Sequence, residues 1–345
     1  MQESSALHEF DLSLINALQL APRAAWSDLA PILDVDATTL ARRWRRLEEA
    51  GLARITVFPR QQLTTRQNMA YLELTCRNGT VEQVASALAE DPGTLSIQFT
   101  AGSHQLLLTV APGQGMADYL MNWIGAFPDV VSYRVHMVTR VVSEAHRWQV
   151  RALSPEQRRR LRALAPRTEC AKEAGGDRVT GLDQRIADLL CTDGRMGYQR
   201  IAERLDIAPT TAARRLNRLI RAGIIGLRCD IARAEMGWPT AAVLWGTVDP
   251  QVLERAEDLC EQVPELRLCS TIAGPENTHF IVWLRTVPDL TRVERRLLEA
   301  LPGLRIADRR MVLHTFKFMG NVLDAAQRYV RTVPLRLSAE EPSPR

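Results

Sequence analysis

Two stretches of the chain set apolar residues at helical spacing against an arginine-rich opposite face. In the later one, beginning near Pro209, Ala212, Leu216, Leu219 and Ile220 form a narrow stripe at about 100° per residue. Arg214, Arg215, Arg218 and Arg221 take the opposite arc, and Gly223 stands where a left-handed helix end is expected. The earlier stretch repeats the scheme, with Leu40, Trp44 and Leu47 inward and Arg42, Arg43, Arg45 and Arg46 outward. A shorter amphipathic helix precedes each, over Ala24–Leu33 and Tyr198–Leu205, followed by a tight turn. Helix, short turn, then a helix that opens on small hydroxyl residues and carries arginines on its open face is the helix-turn-helix arrangement. The competing reading, a solvated charged face in a helix bundle, tolerates Lys, Glu or Gln equally well. It does not account for two copies of the same pattern.

The copies are in register. Thr38-Thr39, Arg42-Arg43, Arg46-Leu47 and Ala50-Gly51 recur as Thr210-Thr211, Arg214-Arg215, Arg218-Leu219 and Ala222-Gly223, each 172 positions on, and Asp11 and Asp183 keep that offset. Such a repeat indicates a duplicated set of domains. In the first set, Leu12, Ile15 and Leu18 mark a helix, and Leu52–Pro59 reads as a wing-like strand. Alternation then predicts strands at Met69–Cys76, Leu95–Thr100, Gln105–Val110 and Val130–Val138, with helices over Val81–Ala89 and Met116–Phe127. The order βαββαβ is a ferredoxin-like four-stranded sheet with helices on one face, its other face left for pairing with a second copy. The second set follows the same plan. Its helices are Asp183–Leu190, Tyr198–Leu205 and Pro209–Ala222, and its wing is Ile224–Asp230. Its sheet strands are Ala241–Val248, Leu266–Ile272, His279–Thr286 and Leu304–Leu313, with helices over Val252–Gln262 and Leu290–Leu301. Between the sets, Ser154-Pro155-Glu156-Gln157 has capping-box spacing and starts an arginine-rich helix, followed by a flexible joint at Glu173–Asp177. A short helix, Val322–Tyr329, and a polar tail close the chain.

Composition narrows the chemistry. The 345 residues have ample apolar content for several cores, and a net charge of only +4 requires any nucleic-acid contact to come from local clustering. Lys172 and Lys317 are the only lysines, a skew towards arginine that reads as genome composition. Six scattered cysteines lack C-x-x-C or metal-ligand spacing and read as reduced thiols of a cytoplasmic protein, with no metal or cofactor expected. No secretory segment and no stretch approaching about 18 apolar residues is seen, so no membrane partner is expected.

The pattern Thr-Thr-x-x-Arg-Arg-x-x-Arg-Leu-x-x-Ala-Gly, the Asp that opens each set, and Pro128 and Pro302 ahead of each last strand together resemble the Lrp/AsnC (feast/famine) family of transcriptional regulators in a tandem form. The resemblance implies an α+β protein of two repeats, each a winged helix-turn-helix followed by a βαββαβ ferredoxin-like RAM domain. It divides the chain into a winged helix-turn-helix over 8–60, a RAM domain over 66–140, and a connector with an arginine-rich helix over 141–180. A second winged helix-turn-helix over 181–232, a second RAM domain over 238–316, and a C-terminal helix and tail over 317–345 follow. It further implies a regulator that binds double-stranded DNA and forms homo-oligomers through RAM domains, modulated by an effector such as an amino acid. The residues expected to meet DNA are Thr38, Thr39, Arg42, Arg43 and Arg46, with Thr210, Thr211, Arg214, Arg215 and Arg218. The effector residues implied are Gly102, Gln105, Gly274, Glu276 and His279.

This chain departs from the family at several points. Ala208 stands where Asp36 can cap its helix, a loss of about 1 kcal/mol unless compensated. The acid usual in the effector turn is missing, and the second turn, Gly274 to His279, reads as two residues longer than Gly102 to Gln105. Glu276 on that extra length makes the second RAM domain the expected amino-acid sensor. A second resemblance, to siroheme decarboxylases of the same architecture, would make the chain an enzyme acting through His104, His136, His279 or His314 on or near the RAM strands. The arginine-bearing recognition helices in both sets favour the regulator.

Overall fold

A computed structural model describes residues 7–59, 69–113, 115–143, 148–165, 179–256 and 259–337. The Glu173–Asp177 joint and the end of the tail lie outside them. The chain divides into two compact units that are not its sequence halves: residues 1–58 with 149–236, and residues 59–148 with 237–345.

The first unit gathers both helix-turn-helix sets. Helices α1 (Glu9–Leu20), α2 (Trp26–Leu33) and α3 (Ala37–Glu49) lead into strand β1 (Ala53–Pro59). The connector contributes α6 (Pro155–Leu164), and the second set is α7 (Gly181–Thr192), α8 (Tyr198–Leu205), α9 (Pro209–Arg221) and β6 (Ile225–Ile231). The turn after α2 and the turn after α8 each pass through a left-handed aspartate, Asp34 and Asp206, both at φ 55°. Aspartate tolerates that region better than branched residues do. Instead of standing free as wings, β1 and β6 pair with each other in a two-stranded sheet. Thr56, Phe58, Cys229 and Asp230 are buried there, and a Cβ at Gly226 would overlap the Phe58 ring. α6 carries the predicted capping box, in which Gln157 N–H donates to Ser154 Oγ and Ser154 N–H to Gln157 Oε1. It docks on the first set through buried Leu161 and through Gln157 Nε2, which donates to the Ile32 carbonyl at 3.0 Å.

The second unit is a single sheet. Its first group is β2 (Ala70–Cys76), α4 (Val81–Ala89), β3 (Thr94–Thr100), β4 (Leu106–Val110), a helical segment opening with α5 (Met116–Asp118) and running on as π and 3-10 turns to Ala126, and β5 (Val130–Ser143). Its second group is β7 (Thr240–Thr247), α10 (Pro250–Glu254), α11 (Leu259–Gln262), β8 (Leu266–Ile272), β9 (Thr278–Leu284), α12 (Asp289–Ala300) and β10 (Arg305–Phe318). The sequence reading ended two of these strands too early. β5 and β10 each run 14 residues against seven for β2, β3, β8 and β9, and the extra length makes the joints. β5 pairs with β2 through Met137 and then with β8 from Val138↔Ile272 to Ser143↔Cys269. β10 pairs with β7 through Val312 and then with β3 from Val312↔Thr100 to Lys317↔Ile97. The strands β10-β3-β4-β2-β5-β8-β9-β7 therefore return on themselves as an eight-stranded barrel, which removes open edges that two separate sheets would present.

Alternate residues now have two interiors to fill. Ala70, Leu72, Leu74 and Ile97 pack under α4 with Val84 and Leu88, and Leu244, Phe280 and Val282 pack under α12 with Val293 and Leu297. The intervening residues, Tyr71 and Glu73 among them, face the barrel interior. The expected C-terminal helix is instead β11 (Asn321–Leu323) and β12 (Tyr329–Thr332), which extend the sheet beside β10. The free edge of β10 at Lys317 and Phe318 offers ladder partners that Val322 and Asn321 take.

Candidate nucleic-acid interface

The two recognition helices, α3 and α9, are built as the spacing required. Leu40, Trp44 and Leu47 are buried in one, and Ala212, Leu216 and Leu219 in the other. Gly51 and Gly223 close them at φ 66° and 65°. Asp36 caps α3 by accepting from Thr39 N–H at 2.8 Å, whereas Ala208 makes no side-chain cap and Pro209 follows it at the first helical position. Proline is suited to that position because its φ is preset for the helix and the N–H it lacks would have had no partner.

The ten residues expected at DNA separate into two groups. Thr38, Arg42, Thr210 and Arg214 are exposed, and Thr39 and Thr211 are half-buried at the start of each helix. Arg43 and Arg46 turn back instead onto Asp11 of α1, which is fully buried, at 3.2 and 2.7 Å. Arg215 and Arg218 do the same to Asp183 of α7, at 3.1 and 2.7 Å. Burial pushes the Asp183 carboxyl up, but hydrogen bonds from Thr180 and the Arg215 and Arg218 charges outweigh it and hold the group below the ordinary carboxylate value. The repeated Asp…Arg-x-x-Arg pattern is thus an internal clamp that seats each recognition helix on the first helix of its set. Arg42 and Arg214 are left as the arginines whose heads face outward at the start of each helix.

The effector residues are also re-sorted. Phe99 pairs with Leu106 and Gln98 with Leu107, while Thr271 pairs with Thr278 and Ser270 with His279. Both turns therefore span the same number of residues, and the two-residue extension read from the sequence does not exist. The counterpart of Gln105 is Asn277, and their side-chain carbonyls do the same work: Gln105 Oε1 accepts from Cys76 N–H at 2.9 Å and Asn277 Oδ1 from Val248 N–H at 3.0 Å. His279 takes the position of Leu107 and lies fully buried in the barrel, stacked on Tyr71 with centroids 3.9 Å apart and 4.5 Å from the Trp245 ring. Burial there pushes its pKa down to about 3, so the ring is neutral. Gly102 and Gly274 both adopt positive φ in their turns, and Glu276 is half-buried beside Gly274.

Beside the Gly102 turn the structure brings His104 and His136, which the sequence offers only for an enzyme, onto Glu73 and Arg310, which it does not single out. Glu73, buried on β2, has Arg310 Nη1 at 3.1 Å, His104 Nδ1 at 3.5 Å and His136 Nε2 at 3.6 Å. Arg310 also holds Asp308 at 2.7 Å, and a Cβ at Gly102 would stand 3.6 Å from the Arg310 side chain. Burial raises the Glu73 carboxyl, yet His136, Arg310 and His104 together keep it below its ordinary value. For Glu73 the sequence signal is a charged residue within a largely apolar strand. His314 sits apart from this set on the far half of β10, with its ring bonded to Gln327 at 2.9 Å. Among the described residues no group of three or more His, Cys, Asp or Glu is placed to hold a metal ion, and no helix is long and apolar enough to cross a membrane.

Residues 7–48 match the AsnC-type helix-turn-helix domain, and residues 180–225 match a winged helix-turn-helix DNA-binding domain. Over 121 residues, 35% of this chain, the sequence is 30% identical to an uncharacterized HTH-type transcriptional regulator of Pyrococcus abyssi and covers 75% of it. It is 27% identical over 128 residues to the HTH-type transcriptional regulator AldR of Mycobacterium tuberculosis, spanning 36% of this chain and 72% of AldR. Among solved structures, the siroheme decarboxylase NirDL shares the fold, with a TM-score of 0.58 at 14% identity over 90% of this chain and 93% of that one.

Proposed function

The chain belongs to the AsnC-type family of HTH-type transcriptional regulators, and from that premise we propose that one polypeptide carries both reading heads of a sequence-specific DNA-binding regulator. The observation that carries this reading is the outward pair at the same place in both recognition helices, Thr38 with Arg42 and Thr210 with Arg214. Helix N-termini and exposed arginines position such a protein on phosphates, and the first exposed side chains reach base edges in the major groove. Arg43, Arg215 and Arg218, with Arg46 whose side chain stays half exposed, reach back to Asp11 and Asp183 and hold each helix at its angle. The surfaces differ at Arg45 against Asn217, which favours an asymmetric site.

The test is binding of the full chain to duplexes selected from a random pool. Arg42→Ala or Arg214→Ala should each cost about 1–3 kcal/mol of specific affinity at one half-site, with thermal stability unchanged. Affinity should also fall steeply with salt as counterions are released. Wild-type affinity in both variants would defeat the assignment.

A small effector bound near the Gly102 turn is the second part of the proposal. An amino acid carries one carboxylate and one ammonium. Arg310 and Glu73, paired with each other at 3.1 Å, would take the ligand's carboxylate and ammonium in exchange for that pair, and charge-assisted bonds are the strong ones. The reading therefore moves from the second turn to the first. Calorimetric titration of the full chain with the common amino acids should show a ligand whose binding is lost in Glu73→Gln and kept in Glu276→Ala. The reverse result would return the sensor to Gly274 and Glu276.

The decarboxylase reading is not favoured. Tyr71, His279, Trp245 and His136 are in ring contact in sequence, at 3.9, 4.5 and 4.4 Å. A tetrapyrrole would have to part rings already at van der Waals distance, so we read this run of rings as packing and leave only the Glu73 and Arg310 charges beside the Gly102 turn to a ligand.

A further inference from the structure

The two helix-turn-helix sets grip each other through a reciprocal pair of arginines. Arg23, in the link between α1 and α2, donates from Nη1 to the Gly194 carbonyl at 2.5 Å and from Nη2 to the Met196 carbonyl at 2.8 Å. Arg195, in the corresponding link between α7 and α8, donates to the Pro22 carbonyl at 2.6 Å and the Ala24 carbonyl at 2.7 Å. Arg195 lies 172 positions after Arg23 (195 − 23), and Gly194 and Met196 lie the same distance after Pro22 and Ala24. Residue i of one set thus contacts residue j of the other while j contacts i, the signature of a two-fold interface, here enclosed in one chain. The aromatic contacts obey the same rule. The Arg23 head lies over the Tyr198 ring at 5.6 Å and the Arg195 head over the Trp26 ring at 3.9 Å, and Trp26 and Tyr198 are again counterparts.

The chemistry suits a rigid joint. A guanidinium presents parallel donors in a fixed plane, so two carbonyls two residues apart are bridged with little loss of side-chain freedom per bond. Both heads sit on the first residues before α2 and α8, the helices that lead directly into α3 and α9. Gly194 is pressed against β1: its N–H donates to the Ile55 carbonyl at 2.9 Å, and a Cβ there would lie 2.6 Å from Ile55. The paired strands β1 and β6 and the two arginines thus join the sets along one continuous contact, in which Gly194 meets both Ile55 of β1 and the Arg23 head.

We propose that Arg23 and Arg195, which lie in neither recognition helix, are positioning residues that set the separation at which α3 and α9 meet DNA, so that one chain reads a two-part site of fixed spacing. This rests on the DNA-binding reading above. The experiment uses the full chain and a duplex that it selects from a random pool, remade with about five base pairs, half a helical turn, inserted between the two half-sites. A third duplex keeps one half-site only.

Wild type should lose about 100-fold in affinity on the insertion, the advantage of a second contact made at high effective concentration. Arg23→Ala with Arg195→Ala, with the wild-type circular dichroism spectrum, should bind the original and lengthened duplexes within a few-fold of each other and the single half-site as wild type does. Arg195→Lys keeps the charge but lacks the fork, and it should shift the spacing penalty the same way in a variant with less risk to folding. A wild-type chain indifferent to the insertion, or variants that keep the full penalty, would overturn the clamp alone. A wild-type chain that selects no duplex would overturn the DNA-binding reading itself.

Discussion

Removing both guanidiniums from Asp183, by Arg215→Ala together with Arg218→Ala, is expected to destabilise the chain by about 3 kcal/mol, the lower end of the cost of stranding a buried charge. Asp183 is fully buried, and the arginine side chains that cover it are themselves only 25% and 28% exposed. Thr180 still donates to the carboxylate from its N–H and its hydroxyl at 3.0 and 2.8 Å, and water can reach the site once the arginines are gone, which keeps the loss from the upper end. The single change Arg214→Ala, one residue away on the same helix, should leave the melting curve where it was and act on DNA affinity alone. Denaturant unfolding of the variants reads the difference, and an Arg215/Arg218 double variant as stable as wild type would show the clamp to be idle. Acid should act on the same point. The Asp183 carboxyl is held below its ordinary value in the folded chain. Its contribution is therefore complete above the unfolded-state pKa and is lost as pH falls through the lower folded value.

Tyr71→Ala should cost about 3–5 kcal/mol, the usual range for deleting a buried aromatic side chain. The ring is fully buried, stacked on His279 at 3.9 Å and edge-on to Trp245 at 6.0 Å, and its hydroxyl meets Ser270 Oγ at 2.9 Å. All three partners come from the other group of strands, so the ring is one of the contacts by which the barrel closes. Tyr71→Phe keeps the stack and loses one hydrogen bond, leaving Ser270 without that partner, for about 1 kcal/mol. Thermal unfolding of both variants gives the comparison. Equal losses for the two would mean that the hydroxyl carries the joint and the stack does not.

The residues alone determined what is local and periodic. The stripes Leu40-Trp44-Leu47 and Ala212-Leu216-Leu219 required two helices, and both are where the spacing put them. The offset between Asp11 and Asp183 was legible too, although its meaning was not. A helical wheel places Arg42, Arg43, Arg45 and Arg46 on one outer arc, because it records the direction of Cβ and not where a long flexible side chain ends. Arg43 and Arg46 end on a carboxylate 32 and 35 residues earlier, and only the packing of α1 on α3 brings it within reach. The same holds for Glu73. Alternation of Ala70, Leu72, Leu74 and Cys76 assigned one buried face to its strand and left Tyr71 and Glu73 on the other. That second face is buried by strands some two hundred residues away, and pairing at such separation leaves no periodic trace in the chain. Turn length is not legible in the sequence, where Gly274 to His279 reads as longer than Gly102 to Gln105, because only ladder register matches Gln105 with Asn277. Neighbours a turn or two residues apart thus mark most segments as helix or strand in the sequence, but not β11 and β12, which form on the edge of β10 where a helix was expected. Tertiary structure decides which polar groups are spent inside the molecule, because that depends on what a distant segment brings to meet them.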